Sequence, residues 1–317
     1  DIESVSVLKD AASASIYGAR ASFGVILVTT KSGKSGKTNV NYSGNVRFND
    51  AIGIPELMDS YTFAQYFNRA SSNRGGGDIF SPVVMERIKA YQEGTLTATT
   101  VDNGSGIWQK WANANGNTDW FGEFYDNWVP SQEHNLSISG GTEKLQYVLS
   151  GSFLDQKGLL RHGTDKFQRY TLNSKITANI TDWLKVTLNS KWTREDFQRP
   201  TYLTSSFFHN LARKWPVHPA YDPNGFPMDE GEIEQMENGG EQNSQKDYYT
   251  NQLHVVIEPI KNWRINLEGS VRTTTQYQHW EVLPVHAYDV NGDPYYTVWD
   301  MGYGSYSAGS SRVDEYS

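Results

Sequence analysis

A chain of 317 residues can bury one or two sizeable cores, and its complete lack of cysteine removes disulfide frameworks, zinc–thiolate sites and cysteine nucleophiles. The formal net charge of -8 argues against a nucleic-acid partner, which needs basic side chains to displace phosphate counterions. Mean hydropathy is -0.62 and no run of about 18 apolar residues occurs, which excludes a transmembrane helix but not a membrane β-barrel, whose strands are apolar only at every second position.

Asp1-Ile2-Glu3 opens the sequence without Met or an apolar leader, so no secretion signal is present and the chain reads as beginning inside a longer protein. Residues 2–8 alternate like a strand, and Asp10 is placed to cap a short Ala-rich helix over 11–16, its carboxylate accepting from first-turn amides. Tyr17-Gly18 ends that helix, with Gly18 free to take positive φ. Residues 25–28 are continuously apolar, which predicts a strand buried on both faces, and 31–36 form a flexible basic exit.

From Asn39 onward the period is two. About seven strands are expected, over 39–48, 134–140, 144–154, 170–180, 184–193, a segment ending at 257, and 263–272. In 39–48, Val40, Tyr42, Val46 and Phe48 share one face and Asn41, Ser43, Asn45 and Arg47 the other. In 184–193, Leu184, Val186, Leu188 and Trp192 oppose Lys185, Thr187, Asn189 and Lys191. Most of these runs are about ten residues long, which suits a tilted membrane-spanning strand better than the common five or six. Tight connections (140–143, 181–183, 258–263) alternate with long ones (49–133, 155–167, 194–250 and 273 onward). A barrel with short turns on one rim and long loops on the other must show that parity. Trp183 and Trp263 sit at short turns, and the 13% aromatic content fits interfacial girdles, though a carbohydrate-binding surface would also raise it. Within the long connections, 59–70 (capped by Asp59), 83–93 and 205–215 have helical spacing.

The opening segment carries a resemblance. Val7-Leu8-Lys9-Asp10-Ala11-Ala12, then Ile16-Tyr17-Gly18-Ala19-Arg20-Ala21, then Gly24-Val25-Ile26-Leu27-Val28-Thr29-Thr30-Lys31 resemble the end of the plug domain of TonB-dependent outer-membrane transporters, and more narrowly the SusC/RagA class of Bacteroidetes-type bacteria. Phe23 departs from the Asn that many members carry there. Residues 117–121 and 147–160 are similar to further segments of the class. The resemblance implies an all-β fold: a partial transmembrane antiparallel β-barrel, roughly 22-stranded when complete, with short helices in external loops. Residues 1–36 would be the C-terminal end of the plug and 37–317 the first barrel strands and loops. It also implies active import of oligosaccharides or peptides across the outer membrane of a Gram-negative bacterium. The implied partners are TonB, reached through segments outside this chain, a SusD-like surface lipoprotein and outer-membrane lipid. The implied protein is not an enzyme and has no cofactor. A soluble all-β carbohydrate-binding or hydrolase domain is the alternative, in which the apolar strand faces would pack on one another.

No residue order here marks a catalytic site. Gly33-Lys34-Ser35 mimics the end of a phosphate loop, but Val28 stands where that loop needs Gly and a strand follows, so it reads as linker. The seven histidines form no His-x-x-x-His pair, and no metal site is expected. Residues 222–225 and 289–293 suggest calcium ligands superficially and read as Asx turns. The acidic run over 229–234 reads as a solvated loop face or as a contact region for a partner or ion. Trp108, Trp111, Trp120, Phe121, Phe207 and Trp215 could stack on sugar rings or pack the loops together. Lys9, Asp10, Tyr17, Gly18, Arg20 and Gly24 are expected to be structural plug-motif residues. The charges of Lys9, Asp10 and Arg20 would either hold the plug in the barrel or act locally.

Overall fold

A computed structural model of the chain describes residues 2–15, 18, 21, 24–296 and 306–317. Tyr17 and Arg20 lie outside the described residues. β1 (Ile2–Leu8) and β2 (Val25–Thr30) form an antiparallel ribbon with Leu8 opposite Val25. Between them Asp10 accepts the Ser13 amide at 2.8 Å and caps α1 (Ala11–Ala14), as the sequence predicts. Gly18 takes φ +66, and Gly24 takes φ +94 beside the Leu8 carbonyl. The expected two-sided burial of 25–28 is not found: Ile26 is 68% exposed, because β2 pairs with β1 alone and a two-stranded ribbon roofs neither face.

The rest of the chain is organised by one eight-stranded antiparallel sheet. Its strands are β3 (Gly36–Asn49), β4 (Val129–Gly141), β5 (Leu145–Lys157), β6 (Lys166–Thr181), β7 (Leu184–Pro200), β8 (Glu241–Ile260), β9 (Trp263–Val282) and β12 (Ser307–Tyr316). They lie side by side in chain order, an up-and-down meander, with the small hairpin β10 (His286–Tyr288) and β11 (Pro294–Tyr296) set apart in the last long connection.

The short turns are tight. Thr142 closes the β4–β5 turn through its amide to the Leu145 carbonyl at 2.7 Å, and Asn262 takes φ +70 between β8 and β9. The connection expected over 258–263 is shorter in the fold, because β8 carries on through Pro259. The missing proline N–H is absorbed by a register shift between Ile257 and Ile260. β7, β8 and β9 also run 7 to 10 residues beyond their expected long-loop ends, over positions where isolated aromatics stand among polar residues and no apolar alternation marks the strand. β12 is an eighth strand beyond the seven expected, for the same reason: its residues include Ser310, Arg312 and Asp314 and show no apolar alternation.

Cross-strand register fixes the two faces. Ile176, Leu188 and Leu253 form one continuous apolar rung, Leu172, Trp192 and Tyr249 another, and all of these side chains but the half-buried Trp192 lie on open surface. A single layer with its apolar face uncovered is not a sandwich, in which two such faces would close on each other. The opposite face carries Asn173, Lys175, Asn189 and Lys191 and meets the β1–β2 ribbon, where Lys175 Nζ reaches the Thr30 carbonyl at 3.2 Å. The 31–36 exit lies directly on the sheet: a Cβ on Gly33 would come within 2.5 Å of the Tyr147 backbone.

The buried core sits in the long connections rather than under the sheet. It is built by α2 (Ser60–Asn73), α3 (Pro82–Gln92), α4 (Trp120–Phe124), α5 (Ser205–Leu211) and α6 (Ile233–Asn238). α2, α3 and α5 answer the helical spacing of the sequence, whereas α4 and α6, at five and six residues, are too short to show a period.

Candidate functional site: a loop platform on one rim of the sheet

All the long connections leave the same rim, and those after β3 and β7 fuse into one platform. Asp59 caps α2 by accepting the Thr62 amide at 2.9 Å and the Thr62 hydroxyl at 2.6 Å; these bonds, with one from Gln92, pull its carboxyl down to about 2. Asn68 then ties α2 to the start of α3, accepting the Ile79 and Phe80 amides and donating to the Phe80 carbonyl at 2.8 Å.

The two loops meet across an aromatic and charged seam. The Trp215 ring lies 4.9 Å from Phe67, 5.4 Å from Phe63 and 5.8 Å from Trp111. Trp111 stacks on His218 at 4.6 Å and donates its indole N–H to Glu230 at 2.5 Å. Its backbone sits at φ 51, a left-handed conformation that a bulky residue holds only where its surroundings over-determine it. Trp120 is fully buried, donates to the Trp215 carbonyl at 3.0 Å and stacks near Phe124 and His218. Phe207 is also fully buried in this core, and Phe121 packs against it. Trp108 lies beside the Asp222 carboxylate. The structure thus places these aromatics between loops, with Trp120 and Phe207 offering no surface to a ligand.

The acidic run is not a solvated face. Lys110 Nζ binds Asp229 and Glu230, each at 2.6 Å, and Lys214 pairs with Glu232 at 3.4 Å, both partners almost wholly buried. Burial alone would depress the Lys110 ammonium, yet its two carboxylate partners hold it above its ordinary value. Lys214 also hangs over Trp120, 5.1 Å from the ring centroid. His218 is held well below its usual range by burial, then by Lys214 and Lys110; its Nε2 faces the Asp229 carbonyl at 3.0 Å, so the neutral ring carries its proton there. His162, in the connection between β5 and β6, ties that loop to α4 and α6 of the platform, 2.6 Å from Glu237 and 3.2 Å from Glu123. Tyr221, beside Glu123, is pushed up to about 12 by burial and by that carboxylate.

Three loop tips converge at the platform edge. Asp222 Oδ1 accepts the Asn224 and Phe226 amides, Asp289 Oδ1 those of Asn291 and Asp293, and Asp102 Oδ1 those of Gly104 and Gly106. Each carboxylate is engaged by its own turn, the Asx arrangement expected from the sequence at 222–225 and 289–293 and found also at Asp102. Phe226 stacks on Tyr288 at 4.1 Å and Asn224 donates to the Val290 carbonyl at 3.2 Å, joining the 222–226 tip to the 289–293 tip. Among the described residues no cluster of three or more histidine and carboxylate groups could hold a metal. Lys9 and Asp10 are exposed at the β1–β2 ribbon and take no part in this seam, and Asp10 is engaged with Ser13.

A meander whose apolar face is uncovered, whose other face is polar, and whose short turns and long loops occupy opposite rims is a stretch of transmembrane β-barrel wall. Comparison with known proteins agrees. The chain is 30% identical over 194 residues to the TonB-dependent receptor SusC of Bacteroides thetaiotaomicron, covering 61% of this chain and 16% of that protein. It is 30% identical over 189 residues to the TonB-dependent receptor P3 of Formosa agariphila, covering 60% of this chain and 15% of that protein. Solved structures of the RagAB peptide importer in its 'closed-closed' and 'open-open' states superpose with TM-scores of 0.67 and 0.68 at 21% and 22% identity, over 90% of this chain and 33% of theirs. No family model matches the sequence. The chain is thus similar to TonB-dependent receptors of the SusC/RagA class, relatives that are receptors and transporters rather than enzymes, and spans about a sixth of the length of the curated receptors named here.

Proposed function

We propose that this chain is part of an importer in the outer membrane of a Gram-negative, Bacteroidetes-type bacterium. The importer draws oligosaccharides or peptides inward with energy delivered through TonB, and works with a SusD-like surface lipoprotein. The observation that carries the reading is the two-faced wall: Leu188 and Leu253 on an outer surface fit for hydrocarbon, Lys191 and Asn189 on the inner face. The relatives support it, since SusC is named as a TonB-dependent receptor and RagAB as a peptide importer. In this reading residues 1–36 are the end of the plug, with Lys9, Asp10, Tyr17, Gly18, Arg20 and Gly24 as its structural motif, and 37–317 are wall and loops. The contact of Lys175 with Thr30 and the seat of Gly33 on Tyr147 support that division, because they put the ribbon against the polar face. The loop platform then faces outward, where the lipoprotein would dock.

The test is uptake of labelled oligosaccharides and peptides by cells with and without the full-length gene, before and after a protonophore collapses the inner-membrane gradient. Uptake of at least one cargo should require both gene and gradient. Uptake indifferent to the gene, or dependent on it but not on the gradient, would overturn the proposal.

A further inference from the structure

The inner face of the wall holds a charge arrangement that neither the platform nor the ribbon uses. Lys191 and Arg272 both stand opposite Thr250, one on each neighbouring strand. Two rungs nearer the long loops, Arg169 and Lys246 both flank Glu195 in the same way. Side-chain alternation puts all five charges on the face that Lys175 shares, the face toward the β1–β2 ribbon. Tyr248 lies between the two rungs, with Lys246 Nζ 5.1 Å and Arg272 Cζ 5.6 Å from its ring centroid and its hydroxyl donating to Glu195 at 3.5 Å.

Among the described residues these cations are not neutralised. Among the described residues Arg169, Lys191, Lys246 and Arg272 make no ion pair within 4.0 Å, whereas Arg47, Arg194 and Arg264 elsewhere on the same sheet each hold a carboxylate. Four cations therefore stand around an aromatic ring with two carboxylates on the same face, Glu195 among them and Glu315 at the edge, opposite Thr274. Strand spacing sets the Lys191 and Arg272 backbones about 10 Å apart, so that two acid groups of one oligomer can be met by separate cations. Charge-assisted hydrogen bonds to carboxylates are the strongest such a surface can make, and the ring offers a stacking face between them.

We propose that this patch is a carboxylate-recognising subsite on the transport path, so that the cargo carries repeated acid groups, as an acidic saccharide or an acidic peptide does. The proposal rests on the import reading and names the cargo chemistry.

The experiment uses the full-length transporter purified in detergent, with titration calorimetry at 50 and 300 mM NaCl. Four probes serve: a hexagalacturonate, the neutral maltohexaose, a glutamate-rich hexapeptide and a neutral hexapeptide. At the lower salt one acidic probe should bind about tenfold or more tightly than its neutral counterpart, and the preference should shrink at the higher salt; which acidic probe does so identifies the source. The double variant Lys191→Gln/Arg272→Gln should remove most of that preference, and the charge-keeping Lys191→Arg/Arg272→Lys should retain it, both showing the heat-modifiable gel mobility of a folded barrel. Should the Gln variant fail to fold, the wild-type salt dependence and the charge-keeping variant still decide. No binding of either acidic probe, equal affinity for acidic and neutral partners, or equal loss for both in the Gln variant would overturn the proposal. These are binding readouts, so they stand apart from failure of gradient-dependent uptake, which would sink the import reading instead.

Discussion

Replacing Trp120 separates packing from ligand stacking. The ring is fully buried, stacked 6.2 Å from Phe124 and 5.9 Å from His218, with the Lys214 ammonium above it and its N–H bound to the Trp215 carbonyl. Trp120→Ala empties that space and should cost the platform about 3–5 kcal/mol. Trp120→Phe keeps most of the ring and removes one of the two bonds that the Trp215 carbonyl accepts, the His218 amide remaining at 3.0 Å, which should cost about 0.5–1.5 kcal/mol. The natural reporters are the Gly116 amide on the Val217 carbonyl and the Thr118 amide on the Pro216 carbonyl, the backbone ties between the two loops. In hydrogen exchange on the full-length protein, protection at those amides should fall by roughly two to nearly four decades in the Ala variant and by about one decade or less in the Phe variant. Wall amides in β6 and β7 should not change. Unchanged protection at Gly116 and Thr118, with cargo binding lost, would make Trp120 a ligand-stacking residue and refute the packing account.

Other perturbations have equally definite outcomes. His218 is held neutral, so the unfolded loop binds a proton that the folded loop does not; platform stability should rise with pH and be lost as pH falls below about 6.5, with a slope of at most ~1.4 kcal/mol per pH unit. Exchange at Thr118 between pH 5 and 7.5, corrected for intrinsic rates, should show that slope, and His218→Gln should flatten it. Leu253 faces outward about midway between the Trp183 and Trp192 levels, so Leu253→Arg should destabilise the membrane-inserted barrel by about 2–4 kcal/mol in urea unfolding from lipid, while neighbouring Gln252→Arg on the inner face should have little effect. Asp59→Ala removes the α2 cap and should weaken that helix by about 1 kcal/mol, read as faster exchange in its first turn with α5 unaffected.

The wall is legible in the sequence wherever lipid imposes a rhythm. Between Trp183 and Trp192, and again between Tyr249 and Trp263, nearly every second side chain is apolar, Ser190 and Asn251 being exceptions that bond each other at 2.7 Å, and that rhythm marks both the strand and its inner rim. Beyond Trp192 and Tyr249 the same strands leave hydrocarbon. Arg194 and Asp247 then pair on the outward face at 2.9 Å, Gln198 reaches Glu241 at 2.6 Å, and nothing periodic remains although the ladder runs on. β12 belongs to this unrhythmic kind. Those strand extensions are held by backbone pairing with neighbours already in place, a long-range cause that local patterning cannot carry.

The platform is legible only in its parts. Asp59, Ser81 and the Asx turns announce themselves, because each acts on amides a few residues away. The seam does not: Lys110 meets Asp229 and Glu230 across 119 and 120 residues of chain, and Trp111 meets His218 across 107. A run of carboxylates with no nearby base reads as solvated for sound local reasons, and only the fold brings in the two lysines that bury and neutralise it. Burying such pairs is weak evidence for stability, since desolvation offsets much of the attraction. What the pairs do provide is register: Lys110 accepts one arrangement of the second loop against the first, and Lys214 with Glu232 fixes the second loop's own shape, while an apolar seam would tolerate several. That is the property a loop surface needs if it is to present one shape at the mouth of a barrel, and it explains why the most acidic stretch of the chain is also among its best anchored.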